Sequence, residues 1–299
     1  MRIHIGRTLV LVVIMFVLSV SYSWAEVKLG ILAQRGVDEA VKEWSSLNEY
    51  LSEKVGERFV LVPLNFSEFR NFYVGEKSGF IFTNPWFYVR AKVRRGAHAI
   101  VTARYQGSGS MFGGVIFTRK DKGIAELKDL RDRVVMVPKL SSVGGWLFQK
   151  GVFVQNGIIP EKDFRQLIET EKESQDEVVY AVRDGKVDAG TVRTNILETM
   201  QRQGKINIAD FRVIHPVEHP NFSELCSTPL YPDWPVAALK DTPLSLVEKV
   251  KQVLLSIPQG HDALERARKL ERFVDALDYG PLEELCRNLN VEPFRTDQR

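Results

Sequence analysis

The chain has 299 residues, of which 41 are lysine or arginine and 38 are aspartate or glutamate, giving a net charge of +3 at pH 7. So near-neutral a balance argues against nucleic acid as a partner and against a polybasic membrane-binding patch. The length is sufficient for two lobes of about 100–150 residues, each with its own hydrophobic core.

The first 25 residues are typical of a cleavable export signal. Arg2 and Arg7 form a basic start, residues 9–18 are apolar, and Ser23 and Ala25 provide the small residues of a cleavage site. The apolar run is shorter than the roughly 20 residues that a membrane span requires, and an uncleaved anchor is the alternative interpretation. We expect an exported protein that does not span the membrane after cleavage and has a net charge of +1.

Strand-like and helix-like segments then alternate. Short apolar runs bounded by turn residues predict strands at 27–33, 59–64, 79–83 and 97–104. Apolar residues at helical spacing up to Gly56 predict a helix over 37–55. A second helix, to about residue 95, begins where Asn84 and Pro85 suit the cap and the first turn.

The alternation continues through the second half of the chain. Further strands are predicted at 113–118, 134–137, 164–168, 187–192, 211–214 and 236–239. Further helices are predicted at 127–130, 145–156, 174–184, 194–203, 242–257, 262–270 and 282–289. This order predicts an α/β protein with mostly parallel sheets flanked by helices.

Two of the predicted strands are interpreted as crossings between two lobes. These are the strands at 113–118 and 236–239, which enclose an inserted block. Lobe 1 would then comprise residues 26–113 and 237–299, and lobe 2 residues 114–236. Ligands of such sheets bind at the carboxyl ends of strands, against helix N-termini.

The first candidate site is a turn that precedes the helix at 145–156. It contains two hydroxyls and two glycines, at Ser141, Ser142, Gly144 and Gly145. Bare backbone N–H groups at the positive end of a helix dipole favour an anion, and serine hydroxyls can donate to its oxygens. The alternative is an ordinary capped helix with a tight turn.

A second strand-to-helix turn offers Thr83 and Asn84 as ligand donors, unless Asn84 only caps the helix. Arg193 follows a predicted strand in lobe 2, where its guanidinium could hold an oxyanion with help from Thr191. Gln34 and Arg35 follow the first strand and are candidates on the same grounds. The alternatives are that Arg193 forms a salt bridge and that Arg35 is a solvated arginine in a loop.

Two cysteines, Cys226 and Cys286, would stand in an oxidising compartment after export. One disulfide and two buried free thiols are both compatible with the sequence, because spacing does not give the Cα separation that a bridge needs. The chain contains no Gly-x-Ser-x-Gly, His-Glu-x-x-His or Walker-type motif. We therefore expect no enzyme activity, no cofactor and no metal site.

Several segments together carry a resemblance to a known family. They are Gly30–Ala33, Thr83–Pro85, Gly113–Phe117, Ser141–Gly145, Val187–Arg193 and Ser227–Pro232. In order and spacing they resemble the phosphate/phosphite/phosphonate-type periplasmic solute-binding proteins, which have the type 2 periplasmic binding fold. The resemblance covers nearly all of the chain after residue 25. It extends to the branch that serves as sensor domains of histidine kinases, including tetrathionate sensors.

The resemblance implies a periplasmic protein that binds a small oxyanion between its lobes. Its partner would be an ABC transporter permease or, because the sequence printed here ends at Arg299 without a kinase domain, a separate sensor histidine kinase. Relatives that take aminoalkyl phosphonates hold the ligand amine with carboxylates. No equivalent acidic pair is recognisable in this sequence, which favours simple oxyanions, sulfur oxyanions included.

Overall fold

The computed structural model describes residues 26–171, 174–267 and 270–295. The predicted export signal, residues 1–25, lies outside the described residues. The strands are, in chain order, β1 (Val27–Leu32), β2 (Phe59–Leu64), β3 (Phe80–Phe82), β4 (His98–Tyr105), β5 (Met111–Phe112), β6 (Gly114–Arg119), β7 (Val134–Val137), β8 (Gln166–Glu169), β9 (Ala189–Arg193), β10 (Phe211–Ile214), β11 (Tyr231–Pro232), β12 (Pro235–Ala238) and β13 (Leu270–Asp275).

Ten α-helices lie in the described parts of the chain. They are α1 (Val37–Val55), α2 (Phe66–Gly75), α3 (Pro85–Arg95), α4 (Phe148–Gln155), α5 (Pro160–Asp163), α6 (Gln175–Arg183), α7 (Ile196–Arg202), α8 (Leu244–Leu255), α9 (Asp262–Glu265) and α10 (Gly280–Asn288). Single 3-10 turns occupy Lys120–Lys122, Leu127–Leu130 and Ile208–Asp210, and a π-helical turn at Val143–Leu147 leads directly into α4.

The predicted two-lobed α/β architecture is confirmed, although both sheets are mixed. The first sheet has the strand order β13-β4-β12-β3-β1-β2, and the second has the order β10-β6-β9-β7-β8. Strands β1, β2 and β3 are mutually parallel, as are β7, β8 and β9, because helices connect them. The other pairings are antiparallel, among them β12 with β3 and β4, β13 with β4, and β10 with β6.

Each sheet is buried on both faces by helices, which explains its apolar strands. In lobe 1, α1 packs on the sheet through a buried stripe that includes Trp44, Leu47 and Leu51. In lobe 2, adjacent residues of β6 point to opposite faces, so that Ile116 lies in one core cluster and Phe117 in the other.

The chain crosses between the two sheets through a separate pair of short strands. β5 and β11 pair antiparallel, with Phe112 opposite Tyr231. The sequence placed these crossings at 113–118 and 236–239, but those segments are β6 and β12, which belong to the sheets themselves. Each crossing therefore lies one strand earlier in the chain than predicted, since β5 directly precedes β6 and β11 directly precedes β12.

Lobe 2 is seated against the crossing strands by aromatic side chains. The Phe148 ring of α4 stacks on Tyr231 with ring centroids 4.2 Å apart and meets Phe112 at 5.1 Å. On the next turn of the same helix, a Cβ added to Gly151 would lie 2.5 Å from Leu285 Cδ1 of α10, so any larger residue would displace that side chain. The beginning of α4 is thus fixed relative to lobe 1.

The prediction of a helix over 262–270 was wrong, since α9 ends at Glu265 and β13 begins at Leu270. Leu270 and Phe273 of β13 are buried while Arg272 is exposed, and β13 is the edge strand of its sheet, paired with β4. Helix α2 was not predicted from the sequence, although Asn65 and Glu68 form a capping box at its start.

Candidate ligand-binding cavity between the lobes

A cavity of about 650 Å³ lies between the two lobes. Its lobe 1 side follows β1, β4 and the β11–β12 connection, and its lobe 2 side follows β9, α7 and the segment before Cys226. The lining residues are Gln34, Tyr105, Gln106, Gly107, Ser108 and Trp234 on the first side, and Arg193, Thr194, Asn195, Ile196, Glu198, Thr199, Arg202, Ser223 and Glu224 on the second.

Arg193, at the end of β9, connects this cavity to the crossing strands. Its Nη2 donates to Asp233 Oδ2 at 2.5 Å, and its guanidinium carbon lies 4.1 Å from the centroid of the Phe112 ring. Its backbone N–H donates to Gln175 Oε1 at 2.7 Å. The sequence left a ligand position and a salt bridge as alternatives for Arg193. In the structure the same guanidinium both lines the cavity and pairs with Asp233.

Asp233 is completely buried in the connection between β11 and β12. Burial raises the pKa of its carboxyl group, and the charge of Arg193 opposes that rise. Oδ1 also accepts from the Trp234 N–H at 2.9 Å, while the Asp233 carbonyl accepts from the Tyr279 hydroxyl at 2.7 Å. Hydrogen bonds to both carboxylate oxygens and to the backbone carbonyl fix the position of Asp233. Asp233 in turn holds Arg193 at the cavity wall.

Two glutamates that were not predicted from the sequence line the lobe 2 side. Glu198 of α7 accepts from the Leu225 N–H at 2.6 Å, and its other carboxylate oxygen is buried without a hydrogen-bond partner in the described residues. Glu224 likewise has one buried oxygen without such a partner. Burial and the neighbouring Glu198 carboxylate raise the pKa of Glu224 to about 7, against the lowering effect of Arg193.

The turn at Ser141–Gly145 lies next to this cavity but does not line it. Ser141 is exposed, Ser142 is half-buried, and both glycines are buried. A Cβ on Gly144 would lie 2.6 Å from the Phe112 ring and 3.2 Å from Arg193 Cγ. Both glycines lie inside the π-helical turn rather than before the helix, since the helical segment begins at Val143, two residues earlier than predicted.

Buried side chains hold this turn from below. Gln149 Nε2 donates to the carbonyls of Gly144 at 2.8 Å and Val192 at 2.9 Å, and Thr191 Oγ1 donates to the Gly145 carbonyl at 2.5 Å. Thr191 therefore supports the backbone of the candidate anion site and is itself fully buried. The first N–H groups of the turn have no acceptor inside the helix, by the geometry of any helix start.

The second predicted turn lies in lobe 1, beside the strand that follows Trp234. Asn84 caps α3, since its side chain accepts from the Phe87 N–H at 2.9 Å. Thr83 is fully buried, its backbone N–H donates to the Pro235 carbonyl, and its hydroxyl has no hydrogen-bond partner in the described residues. Asn84 is thus occupied as a cap, whereas the Thr83 hydroxyl is not.

The two candidates after β1 separate in the structure. Gln34 lines the interlobe cavity. Arg35 forms an ion pair with Glu43 of α1, and it is not among the residues that line the cavity. Of the predicted site residues, the cavity lining therefore contains Gln34 and Arg193.

Cys226 and Cys286 are both buried free thiols, so the disulfide alternative is not realised in this structure. Burial raises the pKa of both, that of Cys286 to about 12. Across residues 26–171, 174–267 and 270–295, no three His, Cys, Asp or Glu side chains are grouped to hold a metal ion. Within the same ranges, every helix is too short or too polar to span a bilayer.

Two lobes joined by a pair of short strands, with a charged cavity between them, define a two-lobed solute-binding protein. The family model described as "ABC transporter, phosphonate, periplasmic substrate-binding protein" matches residues 29–279. The chain belongs to this family, whose members bind solutes rather than catalyse reactions.

Similar proteins include a tetrathionate sensor histidine kinase, TtrS, from Salmonella typhimurium, which is 31% identical over 244 residues. That match covers 79% of this chain but only 40% of the kinase, so the chain corresponds to less than half of its relative. Among solved structures, XAC2383 from Xanthomonas citri bound to ATP has a TM-score of 0.71 at 17% identity, and PhnD1 from Prochlorococcus marinus in complex with methylphosphonate has 0.66 at 19%. Each match covers 89% of this chain and 98% of the other, and each shows the shared fold.

The raised pKa of Glu224 makes stability depend on pH in a predictable direction. Since the folded protein keeps this proton up to about pH 7 while the unfolded chain releases it nearer 4.5, stability falls as pH rises through that interval. Glu224→Gln removes this penalty. The free energy of unfolding, measured in urea, should therefore exceed that of the wild type by more at about pH 8 than at about pH 5. The exposed Glu218→Gln is the control; a Glu224→Gln gain that is the same at both pH values would contradict the assignment.

Proposed function

We propose that this protein captures a small oxyanion between its lobes and delivers it to an ABC transporter permease in the periplasm. The ligand would be phosphonate-, phosphite- or phosphate-like, or a sulfur oxyanion. The observation that carries the proposal is Arg193, a guanidinium at a strand end that lines the interlobe cavity and is held in place by buried Asp233. The family of the chain supports the coarser part of the proposal.

The anion would bind where Arg193 and the Ser141–Gly145 turn meet, since a Cβ on Gly144 would lie only 3.2 Å from Arg193 Cγ. Hydroxyls of Ser141 and Ser142 and the first N–H groups of the turn would replace water around its oxygens. Because both glycines are buried and Gly144 lies against Phe112 of the crossing strand β5, the ligand would reach their N–H groups only when the lobes separate. Hinge closure would then bury the ligand, as in other two-lobed binding proteins.

A thermal-shift screen of the protein without residues 1–25 tests this proposal directly. The compounds are phosphate, phosphite, methylphosphonate, 2-aminoethylphosphonate, sulfate, thiosulfate and tetrathionate. A ligand at about 100 times its Kd stabilises the folded state by about 2.7 kcal/mol. Arg193→Ala and Ser142→Ala should each weaken the ligand that is found, by about tenfold or more for loss of a charge-assisted hydrogen bond.

The control for these two variants is Arg202→Ala, which also lines the cavity but lies one helix away from the turn. It should affect affinity less than Arg193→Ala. Absence of a shift with every anion, or unchanged affinity in both Arg193→Ala and Ser142→Ala, would remove the proposed site.

Thr83→Val separates a ligand role from a structural one at the lobe 1 turn. Replacing a buried hydroxyl that has no partner by a methyl group should stabilise the unliganded protein by about 1 kcal/mol, measured by urea unfolding. Affinity for the anion should fall at the same time. The control is Thr102→Val, whose hydroxyl is 3.0 Å from the Tyr279 hydroxyl and accepts from the Leu277 N–H at 3.1 Å, and which should therefore lose stability. A more stable Thr83→Val with unchanged affinity would exclude Thr83 from the ligand site.

A second role, in sensing, is favoured by the relationship to a tetrathionate sensor kinase. In that role the closed form would present the ligand state to a separate histidine kinase instead of a permease. The two roles differ in what deletion of the protein changes in cells. Loss of uptake of the labelled anion identifies transport, whereas normal uptake with loss of an anion-induced transcriptional response identifies sensing.

A further inference from the structure

A second charged concavity, of about 720 Å³, lies on lobe 1 between α2 and α3. We call it the arginine groove, and its lining consists of Phe66, Ser67, Arg70, Asn71, Val74, Arg90, Arg94 and Arg95. None of these residues lines the interlobe cavity. The groove is therefore a separate surface, and the capture of an anion between the lobes does not use it.

The charge of the arginine groove is of one sign. Four of its lining residues are arginines, and none is an aspartate or glutamate. Arg94 forms an ion pair with Glu292, but in the described parts of the chain no carboxylate lies within ion-pairing distance of Arg70, Arg90 or Arg95. Arg90 and Arg94 are one helical turn apart, a spacing at which like charges destabilise a helix.

The guanidinium of Arg90 is held in place by two aromatic rings. Its guanidinium carbon lies 4.7 Å from the Phe87 ring centroid and 5.6 Å from that of Trp86. Its Nε is buried and has no hydrogen-bond partner in the described residues. A buried donor without an acceptor costs free energy, so the hydrogen bonds within the described residues do not account for the position of Arg90.

Favourable interaction with the helix dipole accounts for part of this arrangement. Arg94 and Arg95 lie in the last turn of α3, where positive side chains stabilise the helix C-terminus. That explanation does not extend to Arg70, which is on α2, or to the stacked Arg90. Two separate helices thus direct unpaired arginines into one groove.

We propose that the arginine groove docks an acidic segment of a partner protein, one that carries carboxylates together with apolar side chains. Phe66 and Val74 alternate with the arginines along the groove, and Val74 is 37% exposed. Apolar side chains between the cations suit a peptide better than a bare inorganic ion. The concave shape with a stacked, recessed Arg90 also suits a chain that inserts better than the flat surface of a bilayer.

The test uses the protein without residues 1–25 and a fluorescently labelled peptide of alternating glutamate and leucine. A matched peptide has lysine in place of glutamate. Anisotropy should show binding of the acidic peptide alone. The double variant Arg70→Glu, Arg95→Glu changes two exposed side chains and should weaken binding by about tenfold or more. Arg90→Lys keeps the charge but loses the planar fork, and it should also weaken binding.

Arg272→Glu is the control, since Arg272 is an exposed arginine of β13 outside the arginine groove. Equal weakening by Arg272→Glu, or no binding of the acidic peptide, overturns the proposal. So does displacement of the peptide by inorganic phosphate or by phosphatidylglycerol vesicles, because an ion or lipid site would then be indicated. The double variant should keep its thermal shift with the interlobe anion, so that failure of the groove is distinguished from failure of the proposed function.

Discussion

The ion pair between Arg193 and Asp233 is the interaction on which the proposed ligand site depends. Asp233 is completely buried, and its burial is tolerable only because Arg193, the Trp234 N–H and the surrounding connection supply partners. The pair joins the end of a lobe 2 strand to the connection that leads back into lobe 1. A ligand anion that takes up part of the Arg193 guanidinium would therefore change the electrostatics of the crossing itself. In the proposed function, ligand occupancy would thus be coupled to lobe position through this contact.

The turn beside Arg193 is prepared by groups that a ligand would never touch. Gln149 and Thr191 donate to the carbonyls of Gly144 and Gly145 from the interior, so the carbonyl side of the turn is fixed before any ligand binds. A Cβ on Gly114 would lie 2.1 Å from the Gln149 amide, so a glycine in β6 is needed to make room for that support. The sequence shows the serines and glycines of the turn and offers Thr191 as a ligand donor, but the supporting role of Thr191 and Gln149 becomes recognisable only in the fold.

Local signals predicted the elements well and tertiary placement poorly. Alternation of apolar runs with capped helices was sufficient for α1, α3 and most strands, because those signals lie within a few residues of each other. β13 was missed because its exposed positions are charged and only its pairing with β4 shows that it is a strand. Glu198 and Glu224 lie far apart along the chain, and the hydrogen bond between Glu198 and the Leu225 N–H brings them into one wall. No spacing rule connects such residues before the fold is known.

The two charged concavities differ in how their charge is balanced, and this difference separates their proposed roles. In the interlobe cavity Arg193 and Arg202 stand among Glu198 and Glu224, so that lining groups of opposite sign are within reach of one another before a ligand arrives. Such a site can release water and bind a small anion by rearranging its own contacts. The arginine groove has no lining carboxylate with which to rearrange, and its net positive field persists until a second molecule neutralises it. A site whose charges are balanced by its own lining residues suits a ligand that binds reversibly. A site whose positive charges are not balanced suits a partner that supplies negative charges.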